Sequence, residues 1–215
     1  MPSALIFNEC SHADWVQQAI LAGFNLVMPV TPNIDFDESV RQVARLAALA
    51  HVHGVAIEGE IGQLPCSSSG MYVTDGSTTE PDLAARFVAM TNVDLLAVSV
   101  GNVHVRIEGE GDLELELLEK IHRAVSVPLV LHGGTGITRE SLQAAIGLGV
   151  AKVNYGTYLK QRYLMAVRNA LSNETSNPHE LLGLGGERDV MVAGRMIVRD
   201  AVLDRLDWLR CCGKA

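Results

Sequence analysis

The feature that most constrains the fold is a short apolar run that recurs six times and usually ends in polar residues. Each run is continuously hydrophobic rather than alternating, which is typical of parallel strands covered on both faces. Segments of helix length separate the runs, so the pattern indicates an α/β fold, either a (β/α)8 barrel or an open doubly wound sheet. The runs are SALIFN (3–8), NLVMPV (25–30), VAIEGEI (55–61), LLAVSV (95–100), PLVLHG (128–133) and AKVNYG (151–156).

The residues that end these runs favour the barrel. Barrel enzymes build their sites from side chains at the carboxyl ends of many strands, whereas an open sheet concentrates its site at one switch point. The chain contains neither GxGxxG nor GxxxxGK[ST], so dinucleotide binding and P-loop NTPase activity have little support. The polar residues at the run ends are Asn8, Glu9, Glu58, Glu60, His104, His132, Asn154 and Thr157.

Composition narrows the class of protein. A chain of 215 residues with 48% apolar content can bury a sizeable core, and we expect one domain over residues 1–215. The formal net charge of −8 argues against nucleic acid as the main partner. The apolar runs are too short to span a membrane, and the first residues lack the basic start of a signal peptide. The four cysteines have no CxxC spacing, so we expect a cytoplasmic protein with free thiols.

The C-terminal segment, residues 187–212, is predicted to be a helical tail. Its amphipathic pattern places Val190, Ile197, Val202 and Leu206 on the inward side. Charges of both signs lie on the other side, which favours packing on the barrel or on a neighbouring subunit over binding to a membrane.

The stretch LVLHGGTGI (129–137) is a candidate ligand site. His132 ends a buried strand and could bind a metal ion, while Gly133, Gly134 and Gly136 would leave backbone N–H groups open to an anion such as phosphate. Thr138 begins a helix whose positive end points to the same place. The alternative is a tight strand–helix turn with a hydrogen-bonded histidine.

A second histidine strengthens the metal hypothesis. His104 follows another buried strand, in LAVSVGNVHV (96–105), and would face the same rim as His132. Glu58 and Glu60 share one face of their strand because side chains alternate with a period of two. Two buried carboxylates need a positive group between them, and a divalent cation bound by two histidines and a carboxylate would supply it.

Five motifs together resemble the class II, metal-dependent fructose-bisphosphate and tagatose-bisphosphate aldolase family, most closely the tagatose type. The resemblance runs from about Leu5 to the last residue and, although no single motif is specific, their order and spacing are. The motifs are GEIGQL (59–64), TEPDLAARFVAMTNVDLLAVSVGNVH (79–104), PLVLHGGTGI (128–137), KVNYGTYLK (152–160) and GKA (213–215).

The resemblance implies a (β/α)8 fold, a divalent metal, usually Zn²⁺, and cleavage of a phosphorylated ketose. His104 and His132 match two metal ligands, and Glu60 matches a glutamate that binds the metal or stands beside it. Asn154 matches a residue that contacts the ketose near its reacting carbons. The phosphate-binding positions are Gly133, Gly134, Thr135, Gly136, Gly156 and Thr157.

Several positions depart from the family pattern. Asn8 replaces the catalytic aspartate and cannot exchange a proton near neutral pH. Glu9 replaces a metal-binding histidine; as a ligand it would favour harder ions such as Mn²⁺ or Mg²⁺, and otherwise it is a solvated glutamate at a strand end. Val105 replaces a glycine near the phosphate or a monovalent cation, Ser68 stands where a loop carboxylate is expected, and Thr31 stands where an aspartate is expected.

The chain also matches only about six of the family's eight βα units. Six strands cannot close an eight-stranded barrel, so we expect part of a longer polypeptide, a homo-oligomer that lends strands, or a reduced barrel. The leading functional prediction is a metal-dependent aldolase of carbohydrate metabolism. The alternatives are a catalytically impaired homologue that binds phosphosugars or serves in assembly, and a barrel isomerase without metal.

Overall fold

The computed structural model describes residues 3–68, 72–74, 76–104, 108–172, 174–183, 185–211 and 213. The chain divides into two compact units, residues 1–154 and residues 155–215. The first unit contains every strand described, and the second contains only helices. In the described part of the chain, no helix has the length and apolarity needed to span a bilayer. The single domain expected over residues 1–215 stays a prediction.

Strands and helices alternate through the first unit. All six apolar runs of the sequence form strands of one parallel sheet, while the loop after the third run forms a small antiparallel hairpin. The strands are β1 (Ile6–Cys10), β2 (Leu26–Pro29), β3 (Ala56–Ile61), β4 (Cys66–Ser68), β5 (Tyr72–Thr74), β6 (Leu95–Val98), β7 (Leu129–Leu131) and β8 (Val150–Val153). The helices are α1 (Ala13–Leu21), α2 (Phe36–Val52), α3 (Pro81–Thr91), α4 (Leu115–Ala124) and α5 (Arg139–Gly147).

The order of the strands decides between the two predicted architectures. The sheet runs β1-β2-β3-β6-β7-β8, so each strand lies beside the previous strand of the sheet along the chain. A doubly wound sheet reverses this order at its switch point, whereas a (β/α)8 barrel does not. The sheet is therefore six consecutive units of a barrel, which confirms the predicted fold class. It ends at the edges of β1 and β8.

The core of the first unit lies on both faces of this sheet. Met28, Ala97 and Val130 come from three different strands and form one fully buried cluster. The residues next to them, Val27, Leu96 and Leu129, are equally buried, as expected for strands covered on both faces. The apolar residues of the strands thus form the core on both faces of the sheet, and the polar side chains lie at the strand ends.

The second unit is built on α6 (Thr157–Leu171), α7 (Pro178–Leu181) and α8 (Val190–Trp208), and α6 packs against α8. The predicted helical tail forms, but Val202 is exposed instead of facing inward. The buried residues of α8 are Val190, Gly194 and Ala201. Gly194 lets the Tyr163 ring approach, since a Cβ there would lie 2.2 Å from that ring, and this contact sets which side of α8 faces inward.

Candidate active site

The two histidines singled out in the sequence converge at the carboxyl ends of neighbouring strands. His132 directly follows β7 and its side chain is 2% exposed, whereas the His104 side chain, in the loop after β6, is 45% exposed. Their ring centroids lie 6.4 Å apart and the ring planes are perpendicular. This spacing confirms that the two rings face one another across a shared rim.

A buried asparagine and a glycine bring the two loops together. The Asn102 side-chain amide donates to the His132 carbonyl at 3.0 Å and to the Val98 carbonyl at 3.2 Å, which ties the end of β6 to the end of β7. Gly133 has φ +69°, and a Cβ at this position would lie 1.9 Å from the Val103 carbonyl oxygen. Only glycine permits that approach, so Gly133 positions the loop that carries His104.

Glu9 supplies a carboxylate to both rings. Its Oε1 lies 2.7 Å from His132 Nδ1, and its Oε2 lies 3.6 Å from His104 Nε2. Its backbone has φ +52°, a left-handed conformation that is costly for glutamate, and the β1–β2 register shifts between Phe7 and Cys10. Strain of this kind clusters at functional sites. The structure thus places Glu9 in the cluster and not as a solvated strand-end glutamate.

Glu58 holds the other side of His132. The carboxylate is fully buried, with Oε1 2.9 Å from His132 Nε2 and Oε2 2.9 Å from Lys152 Nζ. Lys152 also donates to Asn154 Oδ1 at 2.7 Å, and Asn154 Nδ2 lies 3.0 Å from His132 Nε2. These four residues form a closed ring of polar contacts, which we call the Glu58 ring. The ring fixes the orientation of the imidazole.

The carboxylates control the charge of His132. Burial by itself lowers the pKa of this histidine, but the hydrogen bonds that its ring donates to Glu58 and Glu9 outweigh burial and raise the pKa to about 9. The hydrogen bond with His132 is the main reason that the pKa of Glu9 is lowered, and the neighbouring Asn8 side chain adds to this lowering. Without a bound metal, His132 is therefore an imidazolium between two carboxylates at neutral pH.

This charge predicts how the stability of the metal-free protein depends on pH. Because the pKa of His132 rises from 6.5 to about 9 on folding, its stabilising effect is complete below pH 6.5 and is lost as pH rises through 9. The loss should reach about 3 kcal/mol. Denaturant unfolding of chelator-treated protein at pH 6 and pH 10 would measure it. His132→Gln should remove this pH dependence; an equal dependence in both proteins would contradict the assignment.

Glu60 lies beside the cluster and faces a cavity. Burial is the main reason that its pKa is raised; His132 opposes the change, and Glu9 and Glu58 add to it. Glu60 and His104 both line a cavity of about 570 Å³ that extends toward the loop after β2. A carboxyl group with a raised pKa that lines a cavity is a candidate general acid or base.

The predicted phosphate-binding positions are divided between the two units. The Gly134 N–H donates to the Asn154 carbonyl at 3.0 Å, so the expectation that this group is open to an anion is not met here. Residues 134–136 form a short 3₁₀ turn, and Thr138 caps α5 by accepting from Ser141 N. Gly156 and Thr157 begin α6 in the second unit. Val105 and the side chain of Ser68 lie outside the described residues.

The donor chemistry of this site fits a divalent ion. Two imidazoles and the Glu9 carboxylate meet, and Glu58 accepts from the outer nitrogen of His132, as carboxylates do behind metal-binding histidines. The spacing is that of a hydrogen-bonded cluster: ligands of one zinc ion lie roughly 3.3 Å apart, farther than the 2.7 Å between Glu9 and His132. Accordingly, no three described His, Cys, Asp or Glu residues are spaced for a metal.

Sequence reasoning missed two residues of this site and gave a third a different contact. Glu58 was considered as a carboxylate for the metal, but it contacts the far side of the imidazole. Lys152 and Asn102 were given no role, although one neutralises Glu58 and the other joins the strand ends. Two signals were available in the sequence: Glu58 and Glu60 alternate along one strand, and a lysine lies two residues before Asn154. Neither signal identifies the side chain that Glu58 or Lys152 contacts.

A partial (β/α)8 sheet with histidines and carboxylates at the carboxyl ends of its strands defines a class of barrel enzymes that gather ligands on this rim. The sequence profile of the family described as fructose-bisphosphate aldolase class II matches residues 1–214. The chain therefore belongs to the class II fructose-bisphosphate aldolase family, which is generally dependent on a divalent metal.

Individual relatives agree with this family. The chain is 33% identical over 195 residues to a fructose-bisphosphate aldolase from Geobacillus stearothermophilus, covering 90% of this chain and 67% of the relative. The crystal structure of the YdjI aldolase from Escherichia coli K12 has a TM-score of 0.78 at 30% identity, over 96% of this chain and 69% of that one. A proposed fructose-1,6-bisphosphate aldolase from Coccidioides immitis has a TM-score of 0.82 at 27% identity, with coverages of 99% and 73%.

The chain thus spans about two thirds of the length of these relatives. The family and its homologues support a metal-dependent aldolase, a lyase of carbohydrate metabolism, over the impaired homologue considered as the alternative.

Proposed function

We propose that this chain carries the reactive centre of an aldolase that cleaves, or forms, a C–C bond in a phosphorylated ketose with the help of a divalent ion. The observation that carries the proposal is that the Glu9 carboxylate lies beside both His104 and His132, with Glu58 behind His132. The family membership supports it, because aldolase homologues of this family act on phosphorylated sugars.

His104, His132 and Glu9 are the residues that would hold the ion. The bound ion would polarise the ketose carbonyl and stabilise the negative charge that develops on its oxygen when the bond breaks. Glu58 accepts from His132 Nε2 and so presents Nδ1 toward Glu9 and His104. Zn²⁺ suits two imidazoles, while the Glu9 carboxylate increases the affinity for Mn²⁺ or Mg²⁺.

Glu60 is the group that would move the proton of the cleaved hydroxyl. Asn8 has no proton to exchange, but it adjoins Glu9 in β1 and contributes to the lowered pKa of that carboxylate. Glu60 lines the cavity next to His104 and has a raised pKa, which suits a general acid or base. We assign Asn8 a positioning role and Glu60 the proton transfer.

The remaining predicted residues complete the binding proposal. Thr135, Gly133 and Gly136 would bind the phosphate next to the ketone, without the Gly134 N–H, which donates to Asn154. In the second unit, Gly156 and Thr157 begin α6 and remain proposed phosphate-binding positions. Asn154, held by Lys152, would contact the ketose near its reacting carbons. We also propose a monovalent cation near the phosphate and a cytoplasmic location. The edges of β1 and β8 would be covered by a second copy of the chain in a homo-oligomer, or by further parts of a longer polypeptide.

A retro-aldol assay with ketose 1-phosphates and 1,6-bisphosphates would test this function. We expect turnover by the wild type, about one divalent ion per chain by elemental analysis, and loss of activity with a chelator. Glu60→Gln should lower kcat about 10²-fold or more and leave the bound ion in place, because it removes only the proton transfer. The matched control Glu116→Gln changes an exposed carboxylate on α4, outside the cavity, and should have no effect.

The positions that depart from the family pattern allow a test that could contradict the proposed activity. Asn8→Asp combined with Glu9→His introduces the aspartate and histidine of the family pattern. An inactive wild type together with an active double variant would show that this chain is a non-catalytic relative. Retro-aldol turnover by the wild type without any bound ion would overturn the metal-dependent mechanism.

A further inference from the structure

We propose that the cavity beside His104 binds the half of the ketose that leaves as the aldehyde, and that it selects an uncharged, polyhydroxylated carbon chain. The preferred substrate would then carry a single phosphate, on the ketone side of the bond that breaks. This inference rests on the proposed aldolase function and specifies the class of its substrate.

The position of the cavity follows from the two residues that it shares with the site. Glu60 and His104 form one wall, and His104 lies 3.6 Å from Glu9 of the histidine cluster. The cavity then extends away from β7, between the loop after β2 and the loop after β3. The glycine turn directly follows His132, and none of its residues lines the cavity. A ketose that spans the cluster would therefore place one end at that turn and its other end in the cavity.

The walls of the cavity suit hydroxyl groups. Thr31 and Asn33 come from the β2 side, and Gln63 and Ser77 come from the β3 side. The backbones of Gln63 and Ser77 pair through hydrogen bonds of 3.1 and 2.8 Å, and the Thr31 hydroxyl lies 2.7 Å from that of Ser39, so these walls are fixed. Pro29, Val30, Pro32, Ile34 and Leu64 provide apolar surface for the C–H faces of a sugar chain.

The charge of the cavity disfavours a second phosphate. Among the lining residues that the structure describes, only Glu60 and His104 are ionisable, and Glu60 is close enough to Glu9 and Glu58 for their charges to act on it. A phosphate dianion in this cavity would face the Glu60 carboxylate and neutral hydroxyl and amide groups, while the His104 imidazole is already beside the Glu9 carboxylate, 3.6 Å away. A hydroxylated chain would meet the same groups as ordinary hydrogen-bonding partners, so the cavity discriminates by repulsion as well as by contact.

Two measurements on the metal-loaded wild type test this proposal. The first compares kcat/KM for D-fructose 1-phosphate and D-fructose 1,6-bisphosphate, and we expect the monophosphate to be favoured about tenfold. The second compares the calorimetric Kd of D-mannitol 1-phosphate with that of D-mannitol 1,6-bisphosphate. These hexitols have no carbonyl group, so their binding is measured without cleavage, and we expect the same preference.

A positive charge introduced into the cavity wall tests more directly whether charge sets the preference between monophosphates and bisphosphates. Gln63→Lys places a cation in the cavity and should shift both ratios about tenfold toward the bisphosphates. Gln18→Lys makes the same change on the exposed surface of α1, outside the cavity, and should leave both ratios unchanged.

The outcomes separate this inference from the proposed function. A hexitol preference for one phosphate without cleavage of either ketose would support the cavity assignment and overturn the aldolase proposal. Cleavage of both ketoses with the bisphosphate favoured would overturn the cavity assignment and leave the aldolase proposal intact. Equal ratios for Gln63→Lys and Gln18→Lys, or no binding of either hexitol, would also overturn the assignment.

Discussion

His132→Ala is expected to remove the divalent ion and to lower kcat/KM for ketose cleavage by about 10³-fold or more. His132 is the most buried of the proposed ligands and contacts both Glu9 and Glu58, so its loss leaves two carboxylates without their common partner. Removal of one preorganised group that stabilises developing charge commonly costs 10²–10³-fold by itself. Elemental analysis and a retro-aldol assay on the same preparation would measure both effects.

His53→Ala provides the matched control, since this exposed histidine follows α2 just before the amino end of β3, whereas the site lies at the carboxyl ends of the strands. It should retain the ion and full activity. Because a buried substitution can also unfold the protein, denaturant unfolding of His132→Ala should accompany the assay. A folded His132→Ala protein that keeps its ion would contradict the proposed ligand set.

The second large effect is expected for Glu58→Gln. This change removes the carboxylate that both orients His132 and neutralises Lys152, each over 2.9 Å. Loss of a carboxylate behind a metal-binding histidine typically costs 10–100-fold in metal affinity. Leaving one member of a buried ion pair alone should also lower the free energy of unfolding by about 3 kcal/mol. Metal titration and denaturant unfolding would measure the two quantities separately.

Two variants sharpen this prediction. Glu119→Gln breaks an exposed ion pair with Arg123, so its effect on stability should stay below about 1 kcal/mol. Glu58→Gln combined with Lys152→Met removes the uncompensated cation and should recover part of the lost stability without recovering metal affinity. Recovery of both would mean that Lys152, rather than His132, transmits the effect of Glu58.

Much of the fold could be predicted because its signals are local. The six continuous apolar runs become the six strands of the parallel sheet, and Thr138 becomes a helix cap as its position suggests. Burial on both faces of a strand requires apolar residues in every position, so the pattern is visible without any knowledge of contacts. The inward side of α8 was less certain, since Ala201 and Gly194 are inward there and small residues give a weak pattern.

The site could be predicted only in part. That two histidines lie near each other follows from parallel strands, whose carboxyl ends meet at one edge. Glu9 reaches both histidines because its backbone is left-handed and the β1–β2 register shifts beside it. A glutamate in the sequence gives no sign of either feature. The contacts of Glu58 with His132 and Lys152 join residues 74 and 94 positions apart in sequence, and spacing along one strand says nothing about such partners.

By itself, the amino-acid sequence determined that this protein is an α/β chain of the class II aldolase family with polar residues at its strand ends. Apolar runs and family motifs are properties of contiguous residues, and they can be read without coordinates. Only the tertiary structure decided which carboxylate contacts which nitrogen, which glycine serves close packing rather than an open N–H, and where a cavity meets the cluster. Those features depend on distances between side chains from different strands, which are set when the sheet assembles.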